Sequence, residues 1–342
     1  MGRLLGFLLY LVLIVLSFFI QIILHELGHL VFGLISGYHF VSFRIGSVTL
    51  VKDGGKIRRK KFTIRGTGGQ CLMMPPESDG YHCPCRLYNL GGVLMNGITA
   101  VLCLALYIMF PGLRPLRIFW LAMFFCGLFQ AITNGFPMSS SGLVNDGYNA
   151  ENLAKDPQSR YAFYTQLRVN GLLHQGVRLK DMPLAWFQVS EQDGQDRTSY
   201  LRVALRLFEA QYYHDKREFD RAEDCYLKIL KDYPDLLEVY RYEIRCELLF
   251  YELIGPCRPE EIHRLYTEEL KKYIRSTRCY ISRERLLYAY ALFAEKDSKK
   301  AEEQLKQVFK TAKTYPVKAE VESELELIGW LQEHSPAETS GL

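Results

Sequence analysis

His25-Glu26-Leu27-Gly28-His29 sets two imidazoles four positions apart with a carboxylate between them. On a helix that spacing is about one turn, so both rings share a face and can grip one metal ion. Glu26 is then free to take a proton from a water activated by that ion. Two neutral nitrogen donors suit zinc, and a catalytic zinc takes three protein ligands and keeps one position open for water. The setting sharpens this reading. The motif lies inside the apolar run "IQIILHELGHLVFGLISGY", where an unpartnered ionisable side chain costs about 3 kcal/mol. Such a cluster at such a place marks a functional site; the bland alternative is a set of buried polar groups that satisfy one another.

Three stretches are long and apolar enough to position this chemistry in a bilayer, roughly 4–37, 87–110 and 116–138. The first begins like a signal peptide, but its apolar run is too long and no small-residue cleavage site follows, so a retained span is expected. A loop rich in Lys and Arg joins the first two stretches, whereas only Arg114 and Arg117 lie between the second and third. The positive-inside rule puts the basic loop and the C-terminal half in the cytoplasm and the N-terminus outside. Within that loop, "TLVKDGGKIRRKKFTI" alternates around "DGG" and predicts a β-hairpin turning near residues 53–55. The hairpin can lie on anionic headgroups or pair with an extended peptide.

Charge divides the chain. Residues 1–150 hold 12 Lys and Arg against 5 Asp and Glu, and residues 151–342 hold 30 against 33. A sparsely charged membrane domain (1–150) followed by a densely charged cytoplasmic helical domain (151–335) and a disordered tail (336–342) is the expected organisation. The basic excess sits beside the bilayer, so it reads as a topology signal and no nucleic-acid partner is expected. In the second domain, "EFDRAEDCYLKILKDYPDL" places Phe219, Ala222, Tyr226, Ile229 and Leu230 on one helical face, ended by Pro234. "DSKKAEEQLKQVFKTAKTYP" repeats the design with Ala301, Leu305, Val308 and Phe309. These segments resemble tetratricopeptide-type helical hairpins, which would present a surface to a cytosolic protein partner, although a generic helical bundle fits the pattern as well. His174, His214 and His263 stand alone in this half. The nine cysteines are irregularly spaced and do not read as a disulfide framework. His82, Cys83 and Cys85 in "HCPC" form at most half of a small metal site, and an ordinary loop with incidental thiols is the plainer reading.

A third ligand for the imidazole pair must come from elsewhere. Asp146 follows the break Asn134-x-x-Pro137 at the end of the third apolar stretch, on the same side as "NLGGVLMNG" and the end of the first; Asp79 in "SDG" is the fallback. Together, His25-Glu26-x-x-His29, Gly91-Gly92-x-x-x-Asn96, Asn134-x-x-Pro137 and Asp146-Gly147 resemble the site-2 protease family of intramembrane zinc metalloproteases. The resemblance covers residues 1–150. It implies a mainly α fold with three core transmembrane helices and a small β-hairpin loop, in a multi-pass protein of a bacterial cytoplasmic membrane. It implies His25, His29 and Asp146 as Zn2+ ligands and Glu26 as general base. Asn96 and Asn134 would lie near the substrate channel, beside the plainer roles of pairing helices and capping the broken one. One departure is the spacing: family members place the Asp closer behind the Asn than the twelve positions found here, as though "SSSG" were inserted. The expected activity is metalloendopeptidase cleavage of a membrane-spanning or signal-peptide-like segment near its cytoplasmic end. Two rivals stand beside it: a non-catalytic membrane adaptor with a structural zinc, and a metal transporter, which the near absence of ionisable residues in the second and third stretches disfavours.

Overall fold

The computed structural model describes residues 2–63, 67–140, 143–188 and 200–334. The expected disordered tail, Arg65, and Ser141 and Gly142 of the "SSSG" run lie outside the described residues. The chain divides into two compact units, one formed by residues 1–46 and 66–167 and the other by residues 47–65 and 168–342.

In the first unit, α1 (Gly2–Ile35) carries the His-Glu-x-x-His motif. It ends because Gly37 adopts a left-handed φ of 84°, letting Gly37 N–H reach Leu34 O (3.0 Å) and Tyr38 N–H reach Gly33 O (2.9 Å). That pair of bonds satisfies the last carbonyls and turns the chain into β1 (His39–Ile45). The strand labels then follow chain order: β2 (Val48–Asp53), β3 (Lys56–Lys61) and β4 (Gly69–Met74). β1 pairs antiparallel with β4, with an irregularity between Phe40 and Ser42. α2 (Cys85–Met109) and α3 (Arg114–Gly135) are joined by only four residues, so they lie side by side and antiparallel, and both pack on α1. The helical stretches Gly6–Ile35, Cys85–Met109 and Leu116–Gly135 are long and apolar enough to cross a membrane, and Phe7, Phe19, Val101 and Phe129 point outward from them. The shortest, 20 residues, is about 30 Å long, the thickness of a hydrocarbon core.

Past Pro137, which cannot continue α3, two short strands β5 (Ser139–Ser140) and β6 (Leu143–Val144) pair antiparallel. Ser139 and Ser140 are thereby set against Val144 and Leu143 in the longer connection between Asn134 and Asp146. α4 (Asp146–Lys155) follows and packs on α2 and α3, and α5 (Pro157–Gln175) carries the chain out of this unit.

The second unit takes the β2–β3 hairpin, whose register closes at Asp53 and Lys56 around Gly54 and Gly55, both with positive φ, as the "DGG" signal predicts. Phe62, just beyond it, is buried edge-on against the rings of Tyr280 and Tyr315, and Lys60 Nζ donates to Tyr315 O (2.6 Å). The basic hairpin is thus anchored to the helices of its own unit. Those helices are α6 (Tyr200–Asp215), α7 (Phe219–Asp232), α8 (Glu238–Ile254), α9 (Pro259–Leu265), α10 (Glu268–Ser276), α11 (Ile281–Ala289), α12 (Ser298–Thr314) and α13 (Lys318–Glu333). The apolar face expected on α7 is buried at Ala222, Tyr226 and Ile229. On α12, Ala301 and Val308 are buried, but Phe309 is 48% exposed, one position past the edge of the buried stripe. Helices run from seven residues (α9) to seventeen (α8 and α12), and a π-helical turn at Tyr290–Ala294 interrupts the series. No fixed repeat is established in this unit.

Candidate metal centre

His25 and His29 face the first residue of α4. His25 Nε2 lies 3.0 Å and His29 Nε2 3.4 Å from Asp146 Oδ2, and the two imidazole nitrogens are 3.2 Å apart. Three atoms held 2.0–2.1 Å from a tetrahedral ion would be about 3.3 Å from one another, so the triangle has the dimensions of a zinc face. Among the described residues this is the group of His, Cys, Asp and Glu that could hold a metal.

The hydrogen bonds behind the triangle decide which lone pairs it presents. His29 Nδ1 lies 2.8 Å from Tyr88 O, an acceptor only, so Nδ1 carries a proton and, in the neutral ring, Nε2 keeps a lone pair. For His25 the same conclusion follows through a longer chain. Gln21 Nε2 donates to Met123 O (3.0 Å), which fixes that amide so that Gln21 Oε1 accepts from Asn96 Nδ2 (2.8 Å). Asn96 Oδ1 is thereby turned to His25 Nδ1 at 2.8 Å and accepts its proton, leaving Nε2 as a lone pair. Two lone pairs and a carboxylate oxygen thus converge, and Asp146 Oδ2 is buried without a hydrogen-bond donor. Between neutral rings such an arrangement is repulsive, and a cation among the three atoms, a metal ion or a proton, relieves it. The donor set fits zinc, and the outer bonds are those that orient metal-bound imidazoles.

Close backbone approach makes this geometry possible. A Cβ on Gly92 would fall 2.4 Å from His25 Cε1, and one on Gly91 would fall 2.6 Å from Gly28 O. Only glycines let α2 slide this close to the motif. Glu26 points to β4, where a Cβ on residue 69 would meet its Cγ at 2.5 Å; it is near enough to interact electrostatically with His25, His29, Asp146 and Arg44.

No family model matches the chain, and no curated protein or solved structure does either. The site has to be read from its own residues.

Of the residues singled out in the sequence, His25, His29 and Asp146 come together, with Glu26 adjoining. Asn96 is fully buried and its amide is engaged by His25, Gln21 Oε1 and Gln21 O (2.9 Å). Asn134 donates to Gln130 O (3.0 Å) one turn back in α3. The fallback Asp79 pairs with exposed His82 (2.8 Å) instead of joining the triangle. Cys83 Sγ lies 3.1 Å from Tyr38 Oη, and burial pushes its thiol up to about 11, which disfavours the thiolate a metal needs.

Four contributors were not singled out. Gln21 and Tyr88 orient the imidazoles. Arg44, one of the cations between the first two apolar stretches, is only 2% exposed and holds the 67–69 segment through Thr67 Oγ1 (2.5 Å) beside Glu26. Asn145 caps α4: its Oδ1 accepts from Tyr148 N (3.0 Å) and Met138 N (3.1 Å), while Nδ2 donates to Thr133 O and Phe136 O. It ties the broken end of α3 to the start of α4 and so sets Asp146. An Asn directly before an acidic first turn is an N-cap signal, and it was legible. Gln21 and Tyr88 had no such mark.

Proposed function

We propose that this chain is an intramembrane zinc metallopeptidase that cleaves a membrane-spanning or signal-peptide-like segment near its cytoplasmic end. The observation that carries the reading is the convergence of His25 Nε2, His29 Nε2 and Asp146 Oδ2 with Glu26 beside them, about 15 Å inside the C-terminal end of an apolar helix. A bound zinc ion would polarise the scissile carbonyl and lower the pKa of water. Glu26 takes the proton of the attacking water and returns it to the departing amine nitrogen. Asn96 and Gln21 hold His25, Tyr88 holds His29, and Asn145 holds Asp146, so the chain keeps the ligand triangle assembled between turnovers.

A peptide bond in a helix is shielded, and a substrate must unwind before Glu26 can act on it. Extended backbone can be held by strand addition. We assign this role to β4 over the basic hairpin, and two observations support the choice: among the described residues β4 pairs with β1, and Gly69 at its start abuts Glu26. The helical unit then faces the cytoplasm, where it receives a protein partner.

Glu26→Gln keeps every ligand atom while removing the base. The expected result in detergent is one bound zinc per chain and loss of cleavage of an apolar reporter peptide. Cleavage at the unaltered rate by the variant would refute the assigned mechanism, and a variant and parent that both bind zinc and never cut would favour the adaptor.

A further inference from the structure

The helical unit encloses a cavity of about 310 Å3 with walls from the end of α5 and from α6, α7, α8, α11 and α13. Sites for small ligands begin at about 300 Å3. The walls are charged, and the charges do not balance. Arg178 pairs with Asp215 through Nε (3.1 Å), Arg283 pairs with Glu243, and Arg285 Nη2 pairs with Glu247 at 2.7 Å. Two carboxylates remain, Glu320 and Glu324, one turn apart on α13. Glu324 takes a second share of Arg285, whose Nε is 2.7 Å away. Glu320 meets no Lys or Arg among the described residues; it accepts from Tyr315 Oη at 2.6 Å.

Glu324 is 9% exposed and its Oε2 is the atom that faces Arg285 Nε, so Glu320 is the wall carboxylate without a basic partner among the described residues. Arg285 is 1% exposed, and its Nη1 donates no hydrogen bond. Tyr226, Tyr240, Tyr280 and Tyr315 complete the lining. Buried anions in excess of cations destabilise a fold that gains nothing else from them. Aromatic faces beside carboxylates are the surroundings that favour an organic cation.

We propose that this cavity binds an organic cation the size of one amino-acid residue. Glu320 and Glu324 hold its ammonium or guanidinium group among the tyrosines, and a carbonyl on the same ligand accepts from Arg285 Nη1. The site is separate from the metal centre and does not depend on the peptidase reading.

The test is thermal unfolding and calorimetric titration of the full chain in detergent at pH 8, with L-argininamide as probe and two controls, its isostere L-citrullinamide, whose side chain is uncharged, and L-glutamate. L-argininamide is expected to raise the Tm of the helical unit saturably, and the controls are not. Glu320→Gln and Glu324→Gln should each weaken L-argininamide at least tenfold while raising the Tm of the ligand-free protein. A glutamate that merely braced the fold would lower that Tm on replacement. Tyr240→Leu, which keeps an apolar wall and all the charges, should weaken binding about fivefold, and it serves if either Gln variant fails to fold. The proposal falls if L-argininamide gives no saturable shift, as for a cavity that holds only water. It falls equally if L-citrullinamide or L-glutamate binds as well, or if the variants bind L-argininamide as the parent does.

Discussion

Asn96→Ala isolates the outer bond of the metal centre. The side chain is fully buried between α1 and α2, so no water replaces it, and its loss strips His25 Nδ1 of its 2.8 Å acceptor. An unpaired buried donor costs about 1–3 kcal/mol, and nothing then holds His25 in the tautomer that aims Nε2 at Asp146. Losing the outer partner of a metal-bound imidazole weakens the metal by about 10–100-fold. Zinc affinity, measured in detergent by competition with a chromogenic chelator, should fall by that factor while circular dichroism shows the helices intact. Asn96→Asp supplies the discriminating comparison. Its carboxylate still accepts from His25 Nδ1 but cannot donate to Gln21 O or Oε1, which lie 2.9 and 2.8 Å away in the parent. Zinc affinity should therefore stay within about threefold of the parent while unfolding stability drops by about 1–3 kcal/mol. An Asn96→Ala variant that binds zinc as the parent does would refute the tautomer argument. So would an Asn96→Asp variant that loses zinc to the same extent as Asn96→Ala.

Gly92→Ala should lose zinc more completely than Asn96→Ala, because the added Cβ meets the His25 ring at 2.4–2.6 Å, whereas Gly97→Ala on the same helix meets nothing within 4 Å and should be silent in the same chelator assay. Asn145→Ala removes the bonds from Tyr148 N and Met138 N and those to Thr133 O and Phe136 O; a loss of about 1–2 kcal/mol in denaturant titration and weaker zinc binding are expected together. In the helical unit, burial and the nearby Arg285 guanidinium hold His214 down to about 4 from an ordinary 6.5, and burial pushes Glu324 up to about 7 from 4.5. As pH falls, the unfolded chain protonates His214 first, so stability is lost between about pH 6.5 and 4; the folded chain protonates Glu324 first, so stability is gained between about pH 7 and 4.5. The two effects oppose each other at about 3 kcal/mol apiece. Urea titrations should thus find Glu324→Gln more stable than the parent at pH 8, with the advantage shrinking toward pH 4.5; an equal advantage at both pH values would contradict these assignments.

The apolar spans, the His25–His29 pair and the "DGG" turn were legible because each rests on local rules: hydropathy over a span, one helical turn between imidazoles, and positive φ in a tight hairpin. Asp146 was legible for a different reason, since it follows the Pro137 break that must end α3. What the sequence hid is relational. The motif around Gly91 and Gly92 suggests close helix packing, but that Gly92 clears the His25 ring depends on which face of α2 meets α1. Gln21 looks like any polar residue in an apolar run until Met123 O fixes its amide. Arg44 carries no mark that separates it from the solvated cations downstream, because burial in a short strand depends on what folds over it. Phe309 erred in the opposite sense: its spacing suits the buried stripe of α12, and no neighbouring helix covers it there.

The bonds that orient His25 are also bonds that join the helices. In lipid, apolar side chains gain little by facing one another instead of the acyl chains, so interhelical hydrogen bonds and close packing carry more of the association. α1 is held to α3 by Gln21 Nε2 on Met123 O (3.0 Å) and Gln130 Nε2 on Phe18 O (3.1 Å). It is held to α2 by Asn96 on Gln21 and by His29 on Tyr88 O. All these contacts fall between residues 18 and 29 of α1, about 17 Å of helix. In the proposed bilayer setting, α2 cannot leave α1 without freeing His25 Nδ1, and His25 cannot change tautomer without disturbing Asn96 and the Gln21 amide behind it. The candidate metal centre therefore inherits its rigidity from helix association, and a zinc ion that bound only the assembled form would return stability to that association.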